Sequence, residues 1–247
     1  MIDVTFDFRT DTPGCIDPTK KSQRDPDIHS PTLRKYHRWL WSRELPNGEI
    51  IDLKEGKDPK VDYLIWKNFR FGSDTIIIDF NNGYGKKIIE KVKREVGDYE
   101  SYFENHTRRA YTMGGTIIFP KHGQSMNQRR GTNHRIKDRW DLTLESIRRY
   151  YVGQTSPLTD VIDSDKDFYA LFCDFRGYVD FFFLQDAVTD DYSKVNIWYG
   201  NSNFDDGENK SVVPETTDDY FTFIEKEYDF LDRRNKRIKE YCEAHMK

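Results

Sequence analysis

The sequence predicts an α+β fold in which helices are mixed with a small, mainly antiparallel sheet and a long helix ends the chain. Segments with helical spacing alternate with short β-branched and aromatic runs. Aromatic residues make up 15% of the 247 residues, enough to build a core although the mean hydropathy is −0.87. Since no internal repeat or linker divides the sequence, we expect one domain over residues 1–247, with residues 1–30 as an irregular N-terminal arm.

Helices are predicted from capping residues and apolar spacing. Ser30-Pro31 begins the first, because serine is a good N-cap and proline fits the first helical position. The other predicted helices are 86–96, which ends before Gly97, the segment capped by Asp98, 141–151 with Asp141 as N-cap, one beginning at Ser156-Pro157, and 217–244. The stripe predicted to be buried in the last helix is Tyr220, Ile224, Tyr228, Leu231, Ile238 and Cys242.

Strands are predicted from runs rich in β-branched and aromatic residues. These runs are 49–53, 63–69, 75–80, 114–119 and 195–199. Gly72-Ser73 predicts a hairpin turn between the second and third. Residues 165–188 are dense in phenylalanine and tyrosine and are predicted to form the heart of the core, as helix or as strand.

Charge and cysteine usage restrict the class of protein. The net charge of −4 combines a basic stretch, 121–151, with a strongly acidic one, 152–230. No apolar run approaches the roughly 20 residues of a membrane-spanning helix, and the N-terminal residues do not resemble a secretory signal. The three cysteines and six histidines show neither disulfide nor metal-ligand spacing. We therefore expect a cytoplasmic protein with no membrane partner, no metal and no cofactor.

The most informative segment is 121–139, a long polar stretch without periodicity, since loops longer than about 12–15 residues are usually functional or disordered. Arginine forks match phosphate and carboxylate oxygens, and asparagine and histidine can orient a ligand. The predicted ligand-binding residues are Asn127, Arg129, Arg130, Asn133, His134, Arg135, Lys137 and Arg139. Two other interpretations stay open: a solvated loop, and arginines that pair with the acidic stretch.

Three functions are compatible with this segment. The favoured one is binding of a small phosphate-bearing, nucleotide-like or otherwise anionic ligand. The second is an enzyme acting on a phosphorylated or nucleotide substrate, with His134 or His122 as acid and base. The third is a protein–protein interaction or regulatory factor without a small-molecule site. A pI near 5.9 makes nucleic acid a less favoured ligand.

The first helix is a second candidate basic surface, where Arg34, Lys35, Arg38 and Arg43 surround Trp39 and Trp41, although such tryptophans more often fill the core or the surface than stack on bases. By contrast, Arg148 and Arg149 are interpreted as cations at a helix C-terminus that pair with Glu145. They are therefore not included among the ligand-binding residues.

Three stretches of the sequence carry a resemblance to a known family. They are SPTLRKYHRWLWSRELPNGEIIDL at 30–53, RRGTNHRIKDRWDLTLESIRRYYVGQTSPL at 129–158, and DFYALFCDFRGYVDFFFLQD at 167–186. The chain resembles an uncharacterised family of bacterial proteins of unknown function, over most of its length. The resemblance implies a bacterial cytosolic protein and no particular activity.

Overall fold

A computed structural model describes residues 2–15, 24–78, 80, 85–121, 136, 138–201 and 213–245. The α-helices within this part of the chain are α1 (Pro26–His29), α2 (Pro31–Trp41), α3 (Lys86–Glu95), α4 (Tyr99–Ala110), α5 (Trp140–Tyr151), α6 (Thr159–Asp163), α7 (Lys166–Ala170), α8 (Phe175–Phe181) and α9 (Thr217–His245). The strands are β1 (Lys54–Glu55), β2 (Leu64–Trp66), β3 (Phe69–Thr75) and β4 (Thr116–Pro120).

The four strands form one sheet in the order β1-β2-β3-β4, with every neighbouring pair antiparallel. The longest pairing joins β3 to β4, where Ser73 lies opposite Ile118 and Thr75 opposite Thr116. The predicted α+β class, the antiparallel sheet and the long C-terminal helix are all confirmed.

The helix starts at Ser30 and Asp98 are confirmed by their capping hydrogen bonds. The Ser30 hydroxyl accepts the N–H of Leu33 at 3.1 Å, and the Asp98 carboxylate accepts the N–H of Ser101 at 3.0 Å. Each side chain satisfies a donor that the first turn of a helix leaves without a backbone partner.

The predicted hairpin turn at Gly72-Ser73 is wrong, because both residues lie inside β3 and pair with β4. The turn between β2 and β3 is made by Lys67 and Asn68 instead, and Lys67 has a positive φ of 50°. Of the strand predicted at 75–80, only Thr75 belongs to β3. A glycine indicates a turn only statistically, whereas the register is fixed by pairing with β4.

Two predicted helix starts and two predicted strands are also wrong. At 49–53 only an isolated bridge joins Ile50 to Glu44. The N-cap position of α5 is Arg139 rather than Asp141, which lies in the first turn. Helix α6 begins at Thr159, two residues after Ser156-Pro157. Residues 195–199 form no strand, and only an isolated bridge joins Val195 to Val188. Asp141 is held instead by Arg139 and by the N–H of Trp198, and Ser156 bonds locally to Leu158 and Thr159.

The aromatic residues of 165–188 lie at the heart of the core, as predicted, and they are carried by short helices. Phe168, Tyr169, Phe172, Tyr178 and Phe182 are each at most 2% exposed. Their ring centroids lie 5.0–5.8 Å apart in tilted and edge-on pairs, the arrangement that the quadrupoles of aromatic rings favour.

Helix α9 packs on this core through the predicted stripe, in which every residue is buried except the half-buried Tyr228. Two charged residues, Glu227 and Arg234, are buried on the same face and are 0% exposed. Hydrophobic spacing alone does not predict them, since fully buried charges require partners that only the folded chain supplies.

The predicted N-terminal arm contains the short helix α1, which is fastened to β3. Asp27 accepts hydrogen bonds from the Ser73 hydroxyl at 2.5 Å and from the N–H and hydroxyl of Thr75 at 3.0 and 2.7 Å. Burial and the charge of Asp25 raise the pKa of Asp27 to about 7. These bonds hold the chain in position just before α2 begins.

Candidate functional site

Most of the predicted ligand-binding segment lies outside the described residues. This applies to His122, Asn127, Arg129, Arg130, Asn133, His134, Arg135 and Lys137. The described residues that flank them are Lys121, at the end of β4, and Ile136, Asp138 and Arg139 before α5. Ile136 and Arg139 are both 0% exposed, so the chain enters α5 from the interior.

Arg139 is the one predicted ligand-binding residue whose position is described, and it lies in a buried ion pair. Its Nε donates to Asp141 Oδ1 at 3.0 Å, and a terminal nitrogen contacts the other Asp141 oxygen. The same nitrogen donates to the Tyr199 carbonyl at 2.8 Å. A forked pair of this kind balances both charges within the protein.

The Arg139–Asp141 pair also fixes the backbone around Trp198. Asp141 accepts the N–H of Trp198 at 2.9 Å, while Lys226 of α9 donates to the Trp198 carbonyl at 2.8 Å. The backbone N–H and the backbone carbonyl of Trp198 are thus both bound by charged side chains. Hydrogen bonds to charged groups are stronger than those between neutral groups. The result is a fixed connection between α5, residues 198–199 and α9.

Phe223 of α9 forms the apolar centre of this connection. Its ring lies 4.9 Å from that of Phe80 and 5.5 Å from that of Trp198, and the Arg139 guanidinium lies 5.4 Å from its centroid. Trp198 also contacts Phe230 at 5.6 Å. Parts of the chain that are far apart in sequence therefore meet on one turn of α9.

On the outer side of Trp198, residues 186–201 and α9 enclose a groove of about 790 Å³, referred to below as the α9 groove. Its lining residues are Asp186, Thr189, Lys194, Val195, Asn196, Ile197, Trp198, Gly200, Asn201, Thr222, Glu225, Lys226, Asp229 and Phe230. The volume is in the range of ligand sites, and the lining mixes apolar side chains with hydrogen-bonding groups, as such sites do.

The charges of the α9 groove are distributed unevenly. Arg237 binds Asp186 through two hydrogen bonds, at 2.5 and 3.0 Å, and Arg233 binds Asp229 at 2.9 Å. The exposed side chains of Lys194 and Glu225 form no ion pair with any described residue. Two lysines, Lys194 and Lys226, therefore face the groove while two of its carboxylates are already neutralised.

A second cavity, of about 420 Å³, continues the groove along α9. It is lined by Asp186, Arg233, Lys236, Arg237 and Glu240. Asp186 lines both cavities, so the two share a wall. The lining of this second cavity has a larger share of cationic side chains than the lining of the α9 groove.

Most side chains of the predicted basic surface on α2 bind other groups of the protein and are not available to a ligand. Trp41 is 0% exposed, Arg34 donates to the carbonyls of Tyr63 and Gly56, and Arg38 pairs with Glu55 at 3.1 Å. Arg43 lies 4.4–4.6 Å from the ring centroids of Phe181, Phe183 and Tyr241. Only Lys35, over the Trp39 ring at 4.3 Å, matches the predicted arrangement.

The interpretation of Arg148 and Arg149 is confirmed. Both donate to the Glu145 carboxylate, at 2.7 and 3.0 Å respectively. These contacts raise the pKa of Arg148 above its ordinary value.

Among the described residues, no group of three or more histidine, cysteine, aspartate and glutamate side chains is arranged to hold a metal ion. No described helix combines the length and the apolar character that crossing a membrane requires.

A family of unknown function, DUF6994, has a model that matches residues 2–238. The chain belongs to this family. The match confirms the resemblance to an uncharacterised family and extends over nearly the whole chain. No curated protein and no solved structure is significantly similar to the sequence.

The sequence did not identify the α9 groove, because its walls come from two segments with different predicted roles. Residues 195–199 were expected to be a strand, and α9 was predicted only as a long helix with one buried stripe. The polar residues Thr222, Lys226 and Asp229 do recur at helical spacing, which places them on one face. Nothing in that spacing indicates that residues 186–201 lie beside it.

Proposed function

We propose that this protein binds an anionic ligand in the α9 groove. The proposal rests chiefly on one observation: Lys194 and Lys226 line a groove of about 790 Å³ whose inner wall, Trp198, is fixed by the Arg139–Asp141 pair. Preorganised walls favour binding, since less conformational freedom is lost when the ligand enters.

The lining favours an anion over a cation, because its two lysines outnumber Glu225, the lining carboxylate that is not bound by a described arginine. Asp186 and Asp229 already bind Arg237 and Arg233, so a ligand meets them as neutralised pairs. Lys226 donates to the Trp198 carbonyl at 2.8 Å, which holds its ammonium group beside the inner wall of the groove. Thr222 and Asn196 add neutral hydrogen-bonding groups.

The favoured ligand predicted from the sequence was also a small anion, bound by residues 121–139. Of that set, Arg139 contributes to the present proposal by holding Tyr199 and, through Asp141, Trp198. The enzyme hypothesis depends on His134 or His122, which lie outside the described residues. Binding is accordingly the activity that we assign.

The test is a thermal-denaturation screen of the full chain with inorganic phosphate, citrate, adenosine monophosphate and neutral adenosine. An anion at about 100 times its Kd adds about 2.7 kcal/mol to the free energy of unfolding, or roughly 5–11 °C in Tm for a chain of this size. We expect at least one anion to raise the Tm, and Lys194→Glu to remove most of that shift. Lys239→Glu is the matched control, because Lys239 lies on α9 outside the groove lining.

A panel in which no anion raises the Tm would contradict the proposal. A shift that persists in Lys194→Glu but is lost in Arg129→Ala/Arg130→Ala would also contradict it, and would assign the ligand to residues 121–139. The same shift in Lys239→Glu as in the wild type excludes a general effect of charge reversal.

We further propose that the protein acts in the cytoplasm of a bacterium. The family resemblance found in the sequence favours this assignment. The cysteines Cys15, Cys173 and Cys242 are all free, as is usual for proteins of a reducing compartment.

A further inference from the structure

We infer that the partner of this surface is an extended acidic peptide that lies along α9 from Lys226 to Arg237, with one acidic side chain at each end. The inference rests on the proposed function and specifies the ligand of the same site. Its basis is the continuity of the two cavities together with the distribution of their charges.

The two cavities form one surface along one face of α9. Asp186 belongs to the lining of both. The α9 residues that line them include Lys226, Asp229, Arg233 and Lys236, which follow one another at intervals of three or four residues and so share a face of the helix.

The length of this surface suits a short stretch of extended chain. Lys226 and Arg237 are eleven positions apart in α9, which corresponds to about 16 Å at a rise of about 1.5 Å per residue. An extended peptide advances about 3.3 Å per residue. Side chains of an extended chain alternate between two faces, so two that lie four positions apart share a face and are about 13 Å apart. Long acidic side chains at these positions reach both ends of the surface.

Charge is concentrated at the two ends. Lys194 and Lys226 lie at one end, and Lys236 lies towards the other, beside Arg233 and Arg237. Between them, Asp186 and Asp229 are held by arginines. An acidic side chain at each end, with neutral residues between, matches this pattern.

The same pattern disfavours a nucleic acid. Its charges repeat at every nucleotide, so a bound strand would place phosphates beside Glu225 and Glu240 as well as beside the cations. A peptide can carry acidic residues only where the cations lie, and its backbone can bond to side chains such as Thr222 and Asn196. The mixed lining thus favours a peptide.

Two synthetic peptides of equal length and charge test the inference by titration into the full chain, followed by NMR. One has two glutamates four positions apart and the other has them two positions apart, with serine and glycine elsewhere. We expect the widely spaced peptide to bind about fivefold more tightly. Lys236→Glu should remove that advantage, because Lys236 is largely exposed and lies 3.9 Å from its nearest carboxylate, on Glu240.

Lys239→Glu is the matched control, since Lys239 makes an equivalent contact with Glu243, also at 3.9 Å, and lines neither cavity. Its peptide affinities should stay within about twofold of the wild type. Equal affinities for the two peptides, or an advantage that survives Lys236→Glu, would overturn the inference. So would tighter binding of a phosphorylated trinucleotide of similar span.

These outcomes separate the inference from the function beneath it. If small anions bind in a manner that requires Lys194 while peptide spacing has no effect, the anion site stands and the extended peptide is wrong. If neither small anions nor peptides bind, both are wrong.

Discussion

Arg139 and Arg234 are both fully buried arginines, yet the protein accommodates their charges in different ways. Arg139 binds the carboxylate of Asp141. Arg234 instead donates to three backbone carbonyls, those of Phe182, Gly114 and Thr116, at 3.1, 2.6 and 2.9 Å. One site is an ion pair, and the other is a cation surrounded by dipoles.

The difference follows from what each arginine holds together. Arg139 and Asp141 fix residues 198–199 beside the α9 groove, which requires both a donor and an acceptor. Arg234 instead satisfies the buried backbone carbonyls of Phe182, Gly114 and Thr116. Burial lowers the pKa of Arg234 to about 9, so it still carries its charge at neutral pH. A buried arginine can therefore serve as a backbone cap without a carboxylate partner.

The largest effect is expected from Asp141→Ala, because it leaves Arg139 charged, buried and without its carboxylate. Breaking a buried pair in this way costs about 3–5 kcal/mol. The free energy of unfolding in urea should fall by that amount. Replacing both partners, in Arg139→Met/Asp141→Leu, should cost less than the single change. A double variant less stable than Asp141→Ala would show that the pair itself is strongly stabilising.

Arg234→Met should have a somewhat smaller effect, since it removes the charge together with its hydrogen bonds. The three carbonyls then lack this donor, and an unsatisfied buried group costs about 1–3 kcal/mol. Methionine recovers part of this by packing, so we expect about 3 kcal/mol in urea unfolding. A loss larger than that of Asp141→Ala would reverse the comparison between the two sites.

The smallest expected effect is on the pH dependence of the free energy of unfolding, and it comes from His37. This residue lies close to Arg234 and contacts the Thr116 side chain at 3.1 Å. Burial and the nearby Arg234 charge lower the pKa of His37 to about 3. The unfolded chain binds a proton near pH 6.5, whereas the folded chain does not until about pH 3. The resulting loss of stability is absent above pH 6.5 and grows as the pH falls, reaching about 2 kcal/mol at pH 5.

His37→Asn should reduce the pH dependence measured by urea unfolding between pH 7 and pH 5. His106, whose pKa is lowered by burial and by the Arg109 charge to about 4, retains its own contribution in this variant. Equal slopes for the wild type and His37→Asn would mean that His37 titrates normally in the folded protein.

The sequence by itself determined those elements whose signals are local. The Ser30 and Asp98 caps act within a few residues of themselves, and the stripe of α9 is repeated over many turns. For the same reason the α+β class and the aromatic core at 165–188 were predictable. Membership of an uncharacterised family was visible in whole stretches of sequence.

Only the tertiary structure decided where the charges and the groove lie. The hairpin turn was set by pairing with β4 rather than by Gly72, and Asp141 became a partner of Arg139 and Trp198 rather than a helix cap. The α9 groove joins residues 186–201 to a helix that begins at Thr217. Buried charges and cavities depend on residues that are distant in sequence, and local patterns do not record which of these will meet.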